Sequence, residues 1–344
     1  MKKLISFMLV VSAGCFAPDA AAQDIHFSQM AELPMHLNPA ATGMFDGLFR
    51  LTTNYKSQWA SMGSPYRTMA AAFDMPFRPA ANRAYLGLGL FLFRDQAGDS
   101  KFGTFQGSIS GSAIVPLSKR QKFSAGVQFG MGQRSATITG LQWESQYING
   151  TYDPTAPTNE ANLLTSFLYP DISAGVVYQY RSVAGNLVGK DVVEFQGGFS
   201  VFHANQPAMR FHGGGGDKLP MRIVAHAQLR YDFPDTRWSL RPSACYMQQA
   251  AARQIIVGSM FRFRIKDGTK FTNYYSESGI GAGLHYRFGD AIIPQFYYDL
   301  GDFFIGMSYD FNISKYTAIS RGQGGFEITL RYANLNGALY KNKK

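Results

Sequence analysis

The sequence alternates apolar and polar side chains with a period of two residues, and this pattern returns repeatedly between Phe49 and Tyr332. From Met221 to Tyr231 every odd position is apolar or aromatic, while arginine, histidine and glutamine occupy most even positions. Only an extended strand separates two such sets onto opposite faces. Strands of about ten residues with one lipid-compatible and one hydrated face are typical of transmembrane β-barrels. The pattern therefore predicts an all-β fold, a transmembrane antiparallel β-barrel.

The composition limits the alternatives. Charged residues make up 16% of the chain and hydrophobic residues 46%, whereas roughly a quarter of the residues of a soluble protein are charged. Beyond the N-terminus there is no run of about eighteen apolar residues, which excludes a helical membrane protein. A large soluble β-sandwich is the remaining alternative, and it would need more lysine and glutamate on its outer faces.

Counting the alternating segments gives about fourteen strands, an even number as expected for a bacterial barrel. An even number brings both chain ends to the periplasmic side and makes the odd-to-even connections external. We predict strands over residues 49–59, 66–75, 84–94, 105–115, 123–134, 172–181, 192–203, 221–231, 238–247, 255–265, 279–288, 291–299, 303–313 and 326–332.

The N-terminus is typical of an export signal. Lys2 and Lys3 precede an apolar stretch, and small residues end at Ala22, where we predict cleavage. A lipoprotein cut before Cys15 is the alternative. Removal of Cys15 would leave Cys245 alone, so no disulfide is predicted. The predicted organisation is a signal peptide over 1–22, an N-terminal periplasmic or plug segment over 23–47, a barrel over 48–333 and a tail over 334–344.

The net charge of +10 does not indicate nucleic-acid binding, because the arginines recur on the polar sides of strands instead of forming a basic run. Arginine on the inner wall of a water-filled pore explains this spacing better.

No histidine pair has metal-ligand spacing, so no metal or cofactor is expected. A barrel hydrolase would need a serine beside His226 or His285, and no feature selects that serine. The residues predicted to line the lumen are Arg222, His226, Arg230, Arg262, Arg264, His285 and Arg287.

The longest interruptions of the pattern are predicted external loops, Ser135–Asp171 and Asn205–Leu219. The first contains Trp143, Tyr147 and Tyr152. Long loops are usually functional or disordered, and embedded aromatic residues favour packing or recognition. We therefore expect this loop to be an ordered lid or a docking loop for a protein partner.

Both ends of the predicted mature chain resemble one family, the PorP/SprF proteins of type IX secretion. The opening carries Asp24-Ile25-His26-Phe27-Ser28-Gln29, then Leu37-Asn38-Pro39-Ala40-Ala41-Thr42-Gly43, then a first strand ending in Gln58-Trp59. The close carries Gly324-Gly325-Phe326-Glu327-Ile328-Thr329-Leu330-Arg331-Tyr332. The middle of the chain carries little family signature. The motif residues are Asp24, Phe27, Ser28, Gln29, Asn38, Pro39, Gly43, Gln58, Trp59 and Glu327.

The resemblance implies a bacterial outer-membrane barrel that helps particular cargo proteins with a C-terminal sorting domain to be exported or held at the cell surface. It also implies contacts with other type IX subunits, including periplasmic components linked to secretion and gliding motility. It brings no catalytic residues. One departure is the tail after Tyr332, because barrel chains often end in an aromatic residue.

The opening motif also has a physical interpretation as an anchor. Asn38-Pro39 favours a turn and Gly43 permits a left-handed backbone. Phe27 and its apolar neighbours could seat the segment on the barrel wall or in its mouth, and a disordered leader is the alternative. The rival function is a channel for small or hydrophobic solutes, since a barrel of this size can enclose a ligand path.

Overall fold

The computed structural model describes residues 24–59, 65–78, 83–98, 100–137, 141–158, 166–182, 193–209, 218–266, 277–314, 317 and 322–334. The chain forms a closed antiparallel barrel of fourteen strands, which confirms the predicted fold class. The barrel strands are β1 (Arg50–Gln58), β2 (Tyr66–Phe77), β3 (Tyr85–Ala97), β4 (Phe102–Pro116), β5 (Gln121–Ser135), β8 (Ser166–Arg181), β9 (Val193–Phe202), β10 (Arg222–Asp232), β11 (Trp238–Gln249), β12 (Ala252–Lys266), β13 (Ser278–Arg287), β14 (Ala291–Leu300), β15 (Phe303–Asn312) and β16 (Gln323–Ala333).

The first and last strands close the barrel. β1 pairs with β16 in a continuous register from Arg50 opposite Ala333 to Gln58 opposite Gly325. We call the end where β1 begins and β16 ends the terminal rim, and the other end the opposite rim. A separate hairpin, β6 (Tyr147–Ile148) with β7 (Thr151–Tyr152), lies between β5 and β8 at the opposite rim. In the described part of the chain, no helix is long and apolar enough to cross a membrane.

The predicted loop Ser135–Asp171 is wrong at its C-terminal end. β8 begins at Ser166, and its first residues pair in register with β5, so that Ser166 lies opposite Ser135 and Pro170 opposite Met131. The proline interrupted the sequence pattern, but a long neighbouring strand holds this segment extended. The connection therefore spans residues 136–165.

The outer face of the barrel is apolar. In β3, Leu86, Leu88 and Leu90 point outward with 59%, 46% and 42% of their surface exposed. Gly87 and Gly89 between them face the lumen, where they contact other residues. Similar outward rows of leucine, isoleucine, valine and phenylalanine recur on the other strands. A continuous belt of this kind is stable when hydrocarbon covers it, as in an outer membrane.

Residues 24–46 lie inside the barrel and contain a 3-10 turn (Met30–Glu32), a one-turn helix α1 (Pro34–Leu37) and a second 3-10 turn (Pro39–Ala41). The segment runs from the opposite rim, where Asp24 contacts Gln249, to the terminal rim, where β1 begins. Of the two positions expected for residues 23–47, the described part therefore occupies the lumen. Residues 1–23, the sites of the predicted signal peptide and Cys15, and the tail beyond Asn334 lie outside the described residues.

The apolar core of the protein forms between this segment and the inner wall. Phe27, Leu33 and Met35 pack on Ala70, Ala72 and Phe91. Other clusters join Met30 and Leu37 to Phe202, Val224, Cys245, Met247 and Ile256, and Ala40, Ala41 and Met44 to Val177. Part of the inner face is therefore shielded from water, because its few apolar side chains pack against the apolar side chains of the segment. Cys245 is a buried free thiol within one of these clusters.

Candidate functional site

The strongest attachment of the inner segment to the wall is at Glu327 in β16. Its two carboxylate oxygens accept the backbone N–H groups of Ser28 at 2.7 Å and Gln29 at 2.9 Å. The side-chain amide of Asn54 donates to the same carboxylate at 2.9 Å. The side chain of Glu327 is only 1% exposed, so these donors replace its water. One acidic residue therefore fixes the backbone of the opening motif.

Glu327 belongs to a buried group of four charged side chains, each at most 3% exposed. The other three are Lys56, Arg287 and Asp310. Lys56 Nζ lies 3.7 Å from Asp310 Oδ2 and 4.0 Å from Glu327 Oε2. Arg287 Nη1 lies 3.0 Å from Asp310 Oδ2. Ser28 Oγ donates to Asp310 at 2.7 Å and accepts from Arg287 at 2.8 Å. Buried charges of this kind are tolerated only when paired, so the four groups and Ser28 form one interdependent network.

Asn38 attaches the middle of the segment. Its Oδ1 accepts the Ala40 N–H at 2.9 Å and so caps the turn that Pro39 begins. Its Nδ2 donates to the backbone carbonyls of Val176 at 2.9 Å and Phe199 at 3.2 Å, on two adjacent strands. Nδ2 also lies 3.3 Å from Nε2 of His226.

The wall has glycines where the segment passes closest to it. A Cβ on Gly175 would lie 2.2 Å from Asn38 Oδ1, and one on Gly198 would lie 2.6 Å from Asn38 Nδ2. A Cβ on Gly126 would lie 2.6 Å from the Ala40 backbone. The inward glycines therefore make room for the segment and do not widen an open pore.

Gly43 lies near the end of the buried part of the segment and has a φ of +68°, in the left-handed region that favours glycine. Its N–H donates to Asp74 Oδ2 at 2.8 Å. Arg50 forms a bidentate pair with the same carboxylate, at 2.9 and 2.7 Å. The first two strands thereby hold the point where the chain leaves the lumen.

At the opposite rim, Asp24 forms a charged cluster that the sequence did not reveal. His203 lies between two carboxylates, with Nε2 2.5 Å from Asp24 Oδ2 and Nδ1 2.7 Å from Asp171 Oδ1. Arg222 Nη1 lies 3.6 Å from Asp24 Oδ2. Burial lowers the pKa of His203, but the two carboxylates outweigh it and raise the pKa to about 9. His203 is therefore a cation at neutral pH, and it holds the start of the segment at the mouth.

The other motif residues do not touch the segment. Gln58 and Trp59 lie at the opposite rim on the closing seam, where the Trp59 N–H donates to the Gly324 carbonyl at 2.9 Å. The Trp59 ring packs edge-on against Tyr66, with 5.0 Å between ring centroids. The motif thus divides into a part that holds the inner segment and a part that closes the barrel.

All seven residues predicted to line the lumen face inward, but most of them contact protein groups. Arg222 donates to the His36 carbonyl at 3.3 Å, and Arg287 belongs to the Ser28 network. Arg262 pairs with Asp299 and Glu277, and Arg230 with Asp232. The inner arginines therefore support structure, and they do not form the wall of a wide aqueous pore. The remaining three also have protein partners: His226 lies against Asn38, His285 against Ser243, and Arg264 Nε lies 4.0 Å from Glu277 Oε1.

The aromatic residues of the long loop lie on the β6–β7 hairpin, Tyr147 and Tyr152, and on the turn before it, Trp143. Tyr147 and Tyr152 face each other across the hairpin, with ring centroids 5.5 Å apart. Trp143 begins the 3-10 turn Glu144–Gln146, whose Gln146 side chain accepts the Trp143 N–H at 3.2 Å. Tyr147 is 48% exposed and Ile148 52% exposed. The hairpin thus presents an apolar and aromatic surface beyond the barrel strands.

A serine and a histidine also meet inside the barrel. Ser243 Oγ lies 2.9 Å from His285 Nε2. In a hydrolytic triad an acid orients the histidine through its other ring nitrogen. Nδ1 of His285 is buried without a hydrogen-bond partner among the described residues. The pair therefore lacks the third member that would activate the serine.

The segment separates two cavities of about 450 Å³ each. The opposite-side cavity is lined by residues that include Tyr66, Asp95, Phe102, Arg134 and Tyr169. The terminal-side cavity extends from Met30 and Glu32 of the segment to residues near the terminal rim, among them Asp46, Arg181 and Asp302. No group of acidic, histidine and cysteine side chains in the described part of the chain has the arrangement of a metal site.

The protein-family model of the type IX secretion system membrane protein PorP/SprF matches residues 19–332. Among solved structures, the chain is similar to the TodX deltaS2S3 mutant monoaromatic hydrocarbon channel, at 10% identity over 87% of this chain and 94% of that chain, with a TM-score of 0.48. The CymD monoaromatic hydrocarbon channel has 12% identity over 91% and 94%, with a TM-score of 0.46. A Pseudomonas aeruginosa FadL homologue has 12% identity over 87% and 93%, with a TM-score of 0.43. No functionally curated protein sequence matches the chain significantly.

Proposed function

This chain belongs to the PorP/SprF family of type IX secretion system membrane proteins. We propose that it is a non-enzymatic barrel that docks specific cargo and whose lumen is closed by the inner segment, residues 24–46, which we call the plug. The cargo proteins carry a C-terminal sorting domain, and the barrel aids their export or their attachment at the cell surface. Other type IX subunits, including periplasmic components linked to gliding motility, are the further partners. The family is one of secretion-system membrane proteins and not of enzymes.

The occupied lumen is the observation that carries this proposal. An open solute path would require residues 24–46 to leave the barrel, which would break the contacts of Ser28, Asn38 and Gly43 with four strands, β2, β8, β9 and β16. It would also expose the buried charges around Glu327, which is costly. A barrel that keeps its plug acts through its loops, so recognition is favoured over transport.

The β6–β7 hairpin is the proposed docking surface for cargo. The strand ends at the terminal rim, where β1 begins and β16 ends, are placed on the periplasmic side as in bacterial barrels. The opposite rim, where Asp24 also lies, then faces the cell exterior. Exposed tyrosine and isoleucine side chains there offer the aromatic anchors on which protein recognition usually depends. Tyr147 and Tyr152 supply them on a hairpin with its own hydrogen bonds, and Trp143 on the turn before it. Such an ordered surface loses little conformational entropy on binding.

The test is replacement of residues 141–158 by a short glycine-serine linker in the full chain. Surface cargo should fall to the level of a strain without the protein, while the barrel remains in the outer membrane and keeps its heat-dependent electrophoretic shift. As a matched control, the same linker inserted between Ala250 and Ala251, in the tight β11–β12 turn at the same rim, should leave cargo unchanged. Normal surface cargo in the loop replacement would contradict docking by this hairpin.

A further inference from the structure

The terminal-side cavity contains an arginine that lacks the acidic partner its neighbours have. Arg241 of β11 lines this cavity and is half-buried. We infer that the cavity is a binding site for a small carboxylate or phosphate anion, held by Arg241 together with Tyr297. The site is independent of cargo docking, because it lies on the inner face of the barrel wall, between the plug and the terminal rim.

The pairing of the surrounding charges leaves Arg241 as the exception. Arg230 forms a bidentate pair with Asp232 at 3.0 and 2.9 Å, and Arg262 forms one with Asp299 at 2.8 and 2.9 Å. Arg331 is paired with Glu32 of the plug. Within the described ranges, Arg241 has no carboxylate within 4.0 Å, and its Nε is buried without a hydrogen-bond partner. A guanidinium left in this state needs an acceptor.

Tyr297 of β14 supplies a second unused donor next to Arg241. The guanidinium carbon of Arg241 lies 5.7 Å from the centroid of the Tyr297 ring. Tyr297 also lines the cavity, and its hydroxyl is buried without a hydrogen-bond partner in the described structure. Its ring rests over Gly281, where a Cβ would lie 2.1 Å from the ring, so only glycine at this position leaves room for the ring. Two donors from neighbouring side chains can serve one anionic oxygen group.

The floor beneath these donors is apolar. Met260, Tyr297 and Phe304 form a buried cluster at this place. Apolar surroundings strengthen the attraction between a guanidinium and an anion, because they lower the effective dielectric constant. The planar N–H fork of arginine matches the geometry of carboxylate and phosphate oxygens.

The size of the cavity sets the class of ligand. A volume of about 450 Å³ lies within the usual range of small-molecule pockets, about 300–1,000 Å³. Glutamine side chains, Gln196, Gln228 and Gln295, also line the cavity and can bind the polar remainder of such a molecule. The site therefore suits a small anionic solute better than a long acyl chain.

The test measures anion binding to the full detergent-purified chain by calorimetry, with inorganic phosphate and acetate as probes at constant ionic strength. Arg241→Met removes the charge and keeps an apolar side chain, and Arg83→Met, at an exposed arginine of the same rim, is the matched control. We expect the wild type and Arg83→Met to bind at least one probe, and Arg241→Met to bind it at least about tenfold more weakly, as expected for loss of a charged hydrogen bond.

Tyr297→Phe provides a second variant that keeps the ring and removes only the hydroxyl. It should weaken binding of the same probe by a smaller factor, roughly threefold to tenfold, in line with loss of a neutral donor. Folding of each variant is checked by the heat-dependent electrophoretic shift of the barrel. Absence of binding to the wild type, or wild-type affinity in either Arg241→Met or Tyr297→Phe, would overturn the assignment.

Discussion

The backbone N–H of Ser28 donates to Oε2 of Glu327 at 2.7 Å, across a sequence separation of 299 residues. This contact joins the opening motif of the described chain to its last strand. It also links two functions of the fold, because the strand that closes the barrel is the one that holds the plug. Loss of the contact should therefore affect both barrel stability and lumen occupancy.

Glu327→Gln should destabilise the barrel strongly. The amide keeps the shape of the side chain but removes its charge, so it leaves Lys56 with only Asp310 and turns an N–H group toward the donors of Ser28 and Gln29. The expected loss of unfolding free energy is about 3 kcal/mol, as for other broken buried ion pairs. Urea unfolding in detergent, followed by the electrophoretic shift, measures it.

The matched control for this variant is Glu194→Gln. Glu194 pairs with Arg181 at 3.9 Å at the terminal rim, with a side chain that is 25% exposed. Its loss should cost less than about 1 kcal/mol. Equal effects of the two substitutions would show that the Glu327 network has no special role.

Gly175→Ala should push the plug away from the wall, because the new Cβ would lie 2.2 Å from Asn38 Oδ1. The expected cost is about 1–3 kcal/mol, typical of overpacking. Combining it with Asn38→Gly should recover part of that cost in a double-mutant cycle. Gly111→Ala, whose Cβ would meet its nearest atom at 3.9 Å, is the neutral control. Additive effects of Gly175→Ala and Asn38→Gly would contradict a direct clash.

The His203 cluster should make the stability of the protein depend on pH. The pKa of His203 is raised to about 9 from its ordinary 6.5. This stabilisation is fully present below pH 6.5 and is lost as the pH rises through 9. A shift of that size corresponds to up to about 3 kcal/mol. Unfolding midpoints between pH 6 and pH 10 measure it, and His203→Gln should remove this part of the slope. The same slope in wild type and variant would exclude His203 as its source.

The purified wild-type barrel should show no stable open pore in a planar bilayer, because residues 24–46 occupy the lumen. The double variant Asn38→Ala, Glu327→Gln loosens the plug at two places and should show opening events. Glu194→Gln again serves as the control and should stay closed. A stable open pore in the wild type would instead favour the solute-channel function.

The strands could be predicted closely because their signal is local. Each barrel strand coincides with a predicted segment, since alternation is a property of neighbouring residues and survives wherever lipid covers one face. The prediction failed where the pattern was interrupted by Pro170, which pairing with β5 nevertheless holds in a strand. Resemblance to a family supplied the motif residues, but not their contacts.

The sequence alone determined the barrel, its strand number and its membrane environment, because side-chain periodicity decides which face meets hydrocarbon. Only the tertiary structure decided that residues 24–46 fill the lumen and that Ser28 meets Glu327, Asn38 meets Phe199, and Asp24 meets His203. These contacts join residues far apart in the chain, and no local pattern encodes them. They arise because closure of the barrel places inward polar groups around one enclosed segment, where each buried donor and charge must find its partner.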